Sequence, residues 1–398
     1  MSIPDLAALA LDAAAVPVLG ASSYLAGLAL LSRAPHEQES VPSTHFDIIV
    51  PAHDEEHGIA ATLASLFSIR YPAESFRVLV VADNCRDKTA ENARAAGALV
   101  LERNDPTLRG KGYALAAGYE RSMTDGFADA VVVVDADSVV SPNLLAEFST
   151  RLAAGEEALQ AEYGVRNAST SWRTRLMVIA LALFHTVRSL GREKLGVSCG
   201  LRGNGMCFSL ALLRRVPPRA FSIVEDVEYG IELGMAGVRV AYVHAAKVFG
   251  EMPASSAASR SQRERWESGR WQLARKYVPN LIRRGLRKKD PLLLDLALDL
   301  IIPPLTWLTC IALGGAMLAL AGAARFGLPS TVIYPWLAAL AGLGIHVARG
   351  IQLSGGGARA VVDLLLVPAY AVWKLTLLLR PERRNPDEWV RTARQDVS

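Results

Sequence analysis

The chain has little sulfur to build with: four cysteines, Cys85, Cys199, Cys207 and Cys310, are scattered through 398 residues with no CxxC pair and no Cys/His cluster at zinc spacing. That spacing excludes a disulfide framework and a structural zinc site, and the four read as reduced thiols. An excess of one charge is missing too, since 43 Lys and Arg stand against 39 Asp and Glu for a net charge of +4. Such a balance gives no footing to a nucleic-acid partner. There is no GxxxxGK[ST] phosphate loop, no internal repeat and no low-complexity tract. Charged residues reach only 21% against 51% apolar, and mean hydropathy is +0.22. Those values are too apolar for a disordered chain and point to partial residence in a membrane. The length allows two or three domains.

Leu6 to Leu31 is 26 residues broken only by Asp12 and Pro17, against the roughly 20 that cross a bilayer. A signal peptide would carry a basic start and a shorter apolar stretch, so a span is expected here. Ile301 to Ala324, 24 residues without a charge, and Thr331 to Ala348, 18 more, are the best spans in the chain. Asp295 and Asp299 place Leu292 to Leu300 in a lead-in helix that stops near Pro303-Pro304. Val361 to Leu379 contains Asp363, Pro368 and Lys374 and suits an interface better than a membrane core. Eleven basic residues lie between Arg260 and Lys289, which places that stretch on the cytoplasmic side, against anionic lipid. Three spans then return the arginine-rich tail to the same side.

Residues 46 to about 250 hold no span-length apolar run. Short apolar strands are expected at Phe46 to Val50, Arg77 to Val81, Leu99 to Leu101 and Ala130 to Val134. Helical patterns separate them at Gly58 to Ile69, Thr89 to Ala96 and Gly112 to Asp125. This alternation specifies an α/β unit with a mostly parallel sheet, whose ligands bind beyond the carboxyl ends of the strands. The polar residues that immediately follow a strand are therefore the candidates.

Asp135 and Asp137 follow the fourth strand and, two apart on extended chain, would reach one oxygen-loving cation, Mg2+ or Mn2+, holding a nucleotide diphosphate; turn formation or helix capping is the plainer use. Asp83 could accept from a base or ribose, or cap the following helix. Lys111 stands between two glycines that let backbone approach a phosphate. Glu225 and Asp226 open a helical pattern to Met235, either as first-turn acids favoured by the helix dipole or as a general base. Gln262, Arg265 and Trp266 share one helix face, as they would on any amphipathic helix. Gly203 and Asn204 belong to the Gly-rich stretch Gly200 to Gly205, which by itself reads as a plain turn. Trp172 to Arg192 reads as an amphipathic helix on the membrane or a buried core helix.

In this order, Pro51-Ala52-His53-Asp54-Glu55-Glu56, Asp83, Asp135-Ala136-Asp137, Glu225-Asp226 and Gln262-Arg263-Glu264-Arg265-Trp266, followed by spans, the chain resembles the membrane-integrated family 2 glycosyltransferases, the branch that includes cellulose, chitin and hyaluronan synthases. The resemblance implies a GT-A fold and an inverting, metal-dependent transfer from a nucleotide diphosphate sugar, UDP-linked in the first instance. Pro51, Ala52, Glu55 and Asp83 would line the nucleoside pocket and Lys111 would lie near the nucleotide. Asp135 and Asp137 would hold metal and donor, and Asp226 would be the base with Glu225 beside it. Gln262, Arg265 and Trp266 would close over the diphosphate and acceptor, and by the same resemblance Gly203 and Asn204 fall where related enzymes place an acceptor loop. Two positions depart from the family pattern: Asp54 stands where Asn is usual, and Val224 where the synthases carry Thr. The expected layout is an N-terminal span over 1–32, a linker over 33–45 and a cytoplasmic catalytic domain over 46–255. Basic interfacial helices over 256–291, spans within 292–350 and an interfacial segment with a basic tail over 351–398 complete it. The expected product is a polysaccharide or glycan made at the inner membrane, with secretion-complex subunits as candidate partners. Single addition to a lipid (ceramide, diacylglycerol or polyprenyl phosphate) is the alternative, and a non-catalytic scaffold ranks below both.

Overall fold

A computed structural model describes residues 2–34, 43–219, 222, 224–252 and 256–367, with side chains left aside over 256–267. The strands are β1 (Phe46–Ala52), β2 (Phe76–Asp83), β3 (Leu99–Arg103), β4 (Ala130–Val133), β5 (Val139–Val140), β6 (Ala158–Val165), β7 (Met206–Ser209) and β8 (Ala241–Gly250). They form one sheet in the order β3-β2-β1-β4-β7-β6-β8-β5. The half built on β1 to β4 is parallel, as expected. β7 pairs antiparallel with both β4 and β6, and β5 pairs antiparallel with β8, so the described sheet is mixed.

Period-two packing explains the apolar runs. Ile48, Val50, Val80, Val132 and Val134 face one core, while Ile49, Val81, Val131 and Val133 face the other. A strand covered on both faces needs no polar alternation. The order 3-2-1-4 creates a switch point between β1 and β4, where the chain leaves the sheet in opposite directions and a cleft opens at the carboxyl edge.

Helices Ile3–Leu31, Leu305–Phe326, Ser330–Leu353 and Trp172–Leu195 are long and apolar enough to cross a membrane. The first three match the expected spans. The fourth is two-thirds buried inside the protein, and its far end is tied into the catalytic unit, where Glu193 pairs with Arg151 and Arg239 and accepts from Tyr242 N at 2.9 Å. It is a buried supporting helix, wedged between the sheet and the N-terminal span. Its contact with that span runs through Gly191, whose missing side chain would sit 2.5 Å from Leu28 O.

Helix Pro291–Ile301 stops before Pro303-Pro304 as expected. Asp295 and Asp299 are not mere interruptions of its apolar face. Arg192, 1% exposed, ion-pairs with Asp295 at 3.0 Å and Asp299 at 2.6 Å, and Tyr24 of the N-terminal span donates to Asp295 at 2.6 Å. This network joins the first span, the supporting helix and the lead-in helix. Most of the Val361 to Leu379 segment lies outside the described residues; its beginning falls in helix Gly357–Leu364, where Asp363 pairs with Arg175 at 2.9 Å.

Candidate active site

The cleft is assembled from strand ends and one glycine-rich loop. Asp135 and Asp137 follow β4, but not on extended chain: Ser138 N donates to Asp135 O at 3.1 Å and closes a turn, whose middle carbonyl, Ala136 O, accepts from Thr62 Oγ1 at 2.8 Å. The alternating-side-chain argument therefore gives way to a turn that both acids share. Asn204, 1% exposed, holds this turn from behind: its Oδ1 accepts from Asp135 N at 3.1 Å and its Nδ2 donates to Ser138 Oγ at 2.8 Å. Behind Asn204 stands Gln160 of β6, buried at 1%, which donates to Asn204 O and accepts from Arg202 N.

Gly110, with φ of +130°, starts the helix Lys111–Asp125 and aims Lys111 into the cleft. The ammonium of Lys111 donates to Asp135 Oδ1 and, at 2.6 Å, to Gly203 O, bridging the strand edge and the loop. Glu225 and Asp226 form the first turn of helix Glu225–Met235. Gly203, at φ +76°, lies so close that a Cβ there would sit 3.2 Å from Asp226 Oδ2 and 3.7 Å from Lys111 Nζ. Gly203→Ala adds backbone strain of about 1–2 kcal/mol and pushes on Asp226 and Lys111. A misplacement of this size costs about 100-fold in kcat/KM with the melting temperature nearly kept, which steady-state kinetics alongside thermal unfolding would check.

Three carboxylates, Asp135, Glu225 and Asp226, thus crowd one ammonium. Burial, then the charge of neighbouring Asp137, pushes the Asp135 carboxyl above its usual range, and burial raises Asp226 as well. Burial and the charge of Asp226 push Glu225 up to about 7. Lys111 is raised, because the charges of Asp135 and Glu225 outweigh the effect of its burial. A cleft with this donor set is short of positive charge, and Asp135 and Asp137 fit a divalent cation on that ground.

At the nucleoside end, Pro51 and Ala52 complete the buried β1. Asp83, fully buried, accepts from Arg103 at 2.6 Å through Oδ1, while its Oδ2 has no hydrogen-bond partner among the described residues. Glu55 N donates to Thr89 Oγ1 at 2.7 Å, so the Glu55 backbone helps shape the loop after β1. Asp54 departs from Asn without cost: it sits at φ +54°, a conformation that Asn and Asp both tolerate, and its carboxylate accepts from Arg86 N at 2.7 Å. Val224, buried, fills the space left by Gly269, where a Cβ would approach it to 2.8 Å. Asp54, Cys85 and Asp87 bring ligand-type atoms within 4.8 Å of one another, but Asp87 is occupied by Glu56 N and Thr89 N, bonds that knit the loops after β1 and β2.

Gln262, Arg265 and Trp266 fall within helix Ser256–Lys288, and their side chains lie outside the described residues. One turn beyond Trp266, Arg270 returns to the cleft region, 5.6 Å from the ring of Phe184. Arg202, Arg270, Phe184 and Gln160 were not singled out in the sequence. The signal available for Arg202 was its place inside the glycine-rich stretch, and for Arg270 its helical spacing from Trp266.

Comparison with known proteins agrees with this geometry. The family described as glycosyltransferase like family 2 matches residues 42–269, more than half of the chain. A Bacillus subtilis protein named "Probable glycosyltransferase YdaM" is 24% identical over 58% of this chain and 56% of its own length. The beta-monoglucosyldiacylglycerol synthase of Nostoc is 26% identical over 72% of this chain and 63% of its own. The chain thus spans little more than half the length of the curated relatives it matches. Among solved structures, the mannosyltransferase PcManGT from Pyrobaculum calidifontis, in complex with GDP-Man and Mn2+, superposes with a TM-score of 0.53 at 16% identity, covering 89% of this chain and all of that one. At that identity the likeness concerns the fold, GT-A, and nothing more.

Proposed function

This chain belongs to the family 2 glycosyltransferases, and from that premise we propose that it moves a sugar by direct displacement from a nucleotide diphosphate to a hydroxyl of a lipid-borne acceptor at the cytoplasmic face of the membrane. The observation that carries the reading is the cleft itself: Asp135, Glu225 and Asp226 converge on Lys111 at the switch point of the sheet, with Asp137 acting on Asp135. Asp226 takes the proton of the attacking hydroxyl, and Glu225 beside it keeps the local charge high. Lys111 sits where it can accompany the departing diphosphate. A divalent cation held by Asp135 and Asp137 would neutralise that diphosphate as the glycosidic bond breaks. Asp83 Oδ2, buried and unpaired, supplies an acceptor for a base N–H, which both uracil and guanine carry.

A lipid-borne acceptor is preferred to a growing polysaccharide because of how the described spans meet. Helix Tyr334–Leu353 lies against the first span through Gly342, where a Cβ would stand 3.1 Å from Ser22 O, and against helix Leu305–Phe326 through Trp336, which covers Gly315. Among the described residues these contacts pack the three spans closely on one another. The likeness to a glucosyldiacylglycerol synthase, which reaches further along this chain than that to the Bacillus subtilis protein, supports the same choice.

A base whose carboxyl is raised works only when ionised, so kcat/KM falls as pH drops through the range above the usual carboxylate value to which burial raises Asp226. Binding of the cation alone would add positive charge and lower these carboxyls. Labelled donor, with products partitioned between organic solvent and high-molecular-weight fractions, tests the acceptor class: label in the lipid phase is expected, and label in polymer would overturn the lipid assignment.

A further inference from the structure

The cleft short of cations adjoins a group short of anions. Arg188, Arg192, Arg202 and Arg270 stand on its membrane side, and the carboxylates that answer them are Asp295 and Asp299. Arg192 takes both. Arg188 shares Asp299, and Arg270 comes no nearer to it than 3.8 Å. Arg202 donates to a carbonyl, Cys199 O, at 2.8 Å. Three of the four converge on one ring, with Arg202 4.6 Å, Arg188 4.8 Å and Arg270 5.6 Å from the centre of Phe184. A single aromatic face offsets such a cation only in part and cannot neutralise three.

Each of the three also keeps a buried N–H without a hydrogen-bond partner among the described residues: Arg188 Nε, Arg202 Nε and Arg270 Nη2. Arg188 is 5% exposed, whereas Phe184, Arg202 and Arg270 are half-buried, so the cluster keeps an opening. Burial, reinforced by the neighbouring arginines, lowers Arg202 and brings Arg270 down to about 10. Phe184 is placed by a π-helical turn, Ala182–Val187, in the middle of the supporting helix; such turns widen a helix locally and cluster at functional sites.

The position separates this group from the donor. The acid turn follows β4 and Lys111 opens the helix Lys111–Asp125, whereas Arg188 and Phe184 ride on a helix seated on the spans, Gly191 against Leu28 and Leu183 against Gly350. The link to the acids is Arg202, adjacent in sequence to Gly203, whose charge acts on Asp226. We propose that Arg188, Arg202 and Arg270 hold a phosphate of the acceptor, so that the acceptor is a membrane lipid carrying a phosphodiester or diphosphate beside its reactive hydroxyl. This rests on the transferase reading given above and names its acceptor. In the step, the hydroxyl oxygen forms a bond to the anomeric carbon as its proton passes to Asp226. The bond from that carbon to the diphosphate oxygen breaks, and its electron pair leaves with the nucleoside diphosphate. The lipid phosphate is unchanged and serves as the handle.

The test uses the full chain in nanodiscs with labelled donor and two sets of lipids: phosphatidylglycerol and a polyprenyl-diphosphate sugar, against diacylglycerol and ceramide. Wild-type protein is expected to favour a phosphate-bearing lipid by tenfold or more in kcat/KM. Arg270→Gln is expected to raise the KM for that lipid about tenfold and abolish the preference, with the donor KM within twofold. Arg202→Gln gives the same result should Arg270→Gln fold poorly. A preference for the neutral lipids, an equal loss on both sets, or a rise confined to donor KM would overturn the proposal; the last would assign the arginines to the leaving diphosphate. Hydrolysis of the donor without transfer to any phosphate-bearing lipid would overturn it as well. Neither transfer nor hydrolysis from any donor by folded wild-type protein would instead remove the transferase reading beneath it.

Discussion

Asp226→Asn lowers kcat by about 100- to 10,000-fold, the range for loss of a general base, while the protein folds and binds its donor. The side chain keeps its shape but can no longer take a proton. Two roles for Asp226 separate cleanly here. If it served only as one more negative charge in a cleft where Asp135, Glu225 and Asp226 are all raised, its neutralisation would relieve repulsion and leave turnover nearly intact. As the base, its loss is felt in kcat and in the loss of the acid limb of the pH profile, with donor affinity kept. Glu225→Gln is expected to cost less, since Glu225 adjusts the charge around the base without taking the proton. Rapid-quench kinetics together with calorimetric donor binding would measure both effects.

Arg192→Leu is expected to be the most damaging single change to stability. Arg192 is 1% exposed and binds Tyr24 at 2.9 Å, Asp299 at 2.6 Å and Asp295 at 3.0 Å. Removing one partner of a buried ion network leaves carboxylates without compensation, which costs about 3–5 kcal/mol, out of a typical total of about 5–15 kcal/mol. Arg188 remains beside Asp299, so Asp295 bears most of the loss. Arg192→Lys offers one compact charge where a planar fork spans three partners, and restores only part. The triple change Arg192→Leu, Asp295→Leu, Asp299→Leu removes the unpaired acids and is expected to recover more stability than Arg192→Leu alone. Thermal unfolding in detergent would rank the four proteins, and a wild-type melting temperature for Arg192→Leu would refute the network's role.

The half of the fold that could be read in the chain is the half with both faces buried. Phe46 to Val50, Arg77 to Val81 and Ala130 to Val134 are nearly continuous apolar runs because each strand is covered on both sides, and the acids that follow them mark the ligand edge. β6 and β8 hide because their pattern is mixed: Gln160 is polar yet 1% exposed, holding Asn204 and Arg202 in place. The turn that carries Asp135 and Asp137 depends on Asn204, 69 residues away in sequence from Asp135. The arginine cluster was illegible for the same reason. Arg188 and Arg192 read as charges on an amphipathic helix until Asp295, Asp299 and Tyr24 arrive from two other segments. Trp172–Leu195 shows the limit of hydropathy alone: its composition suits a span, and its ion pairs hold it inside the protein.

The central claim is that the acid cleft is a cation-dependent nucleotide-sugar site. Purified chain in nanodiscs, supplied in turn with labelled UDP- and GDP-sugars, with Mn2+, Mg2+ or EDTA, tests it directly. The account predicts transfer from one donor to extractable lipid, lost with EDTA, restored by the cation and absent in Asp137→Ala. Transfer that proceeds unchanged in EDTA, or in Asp137→Ala, would contradict it.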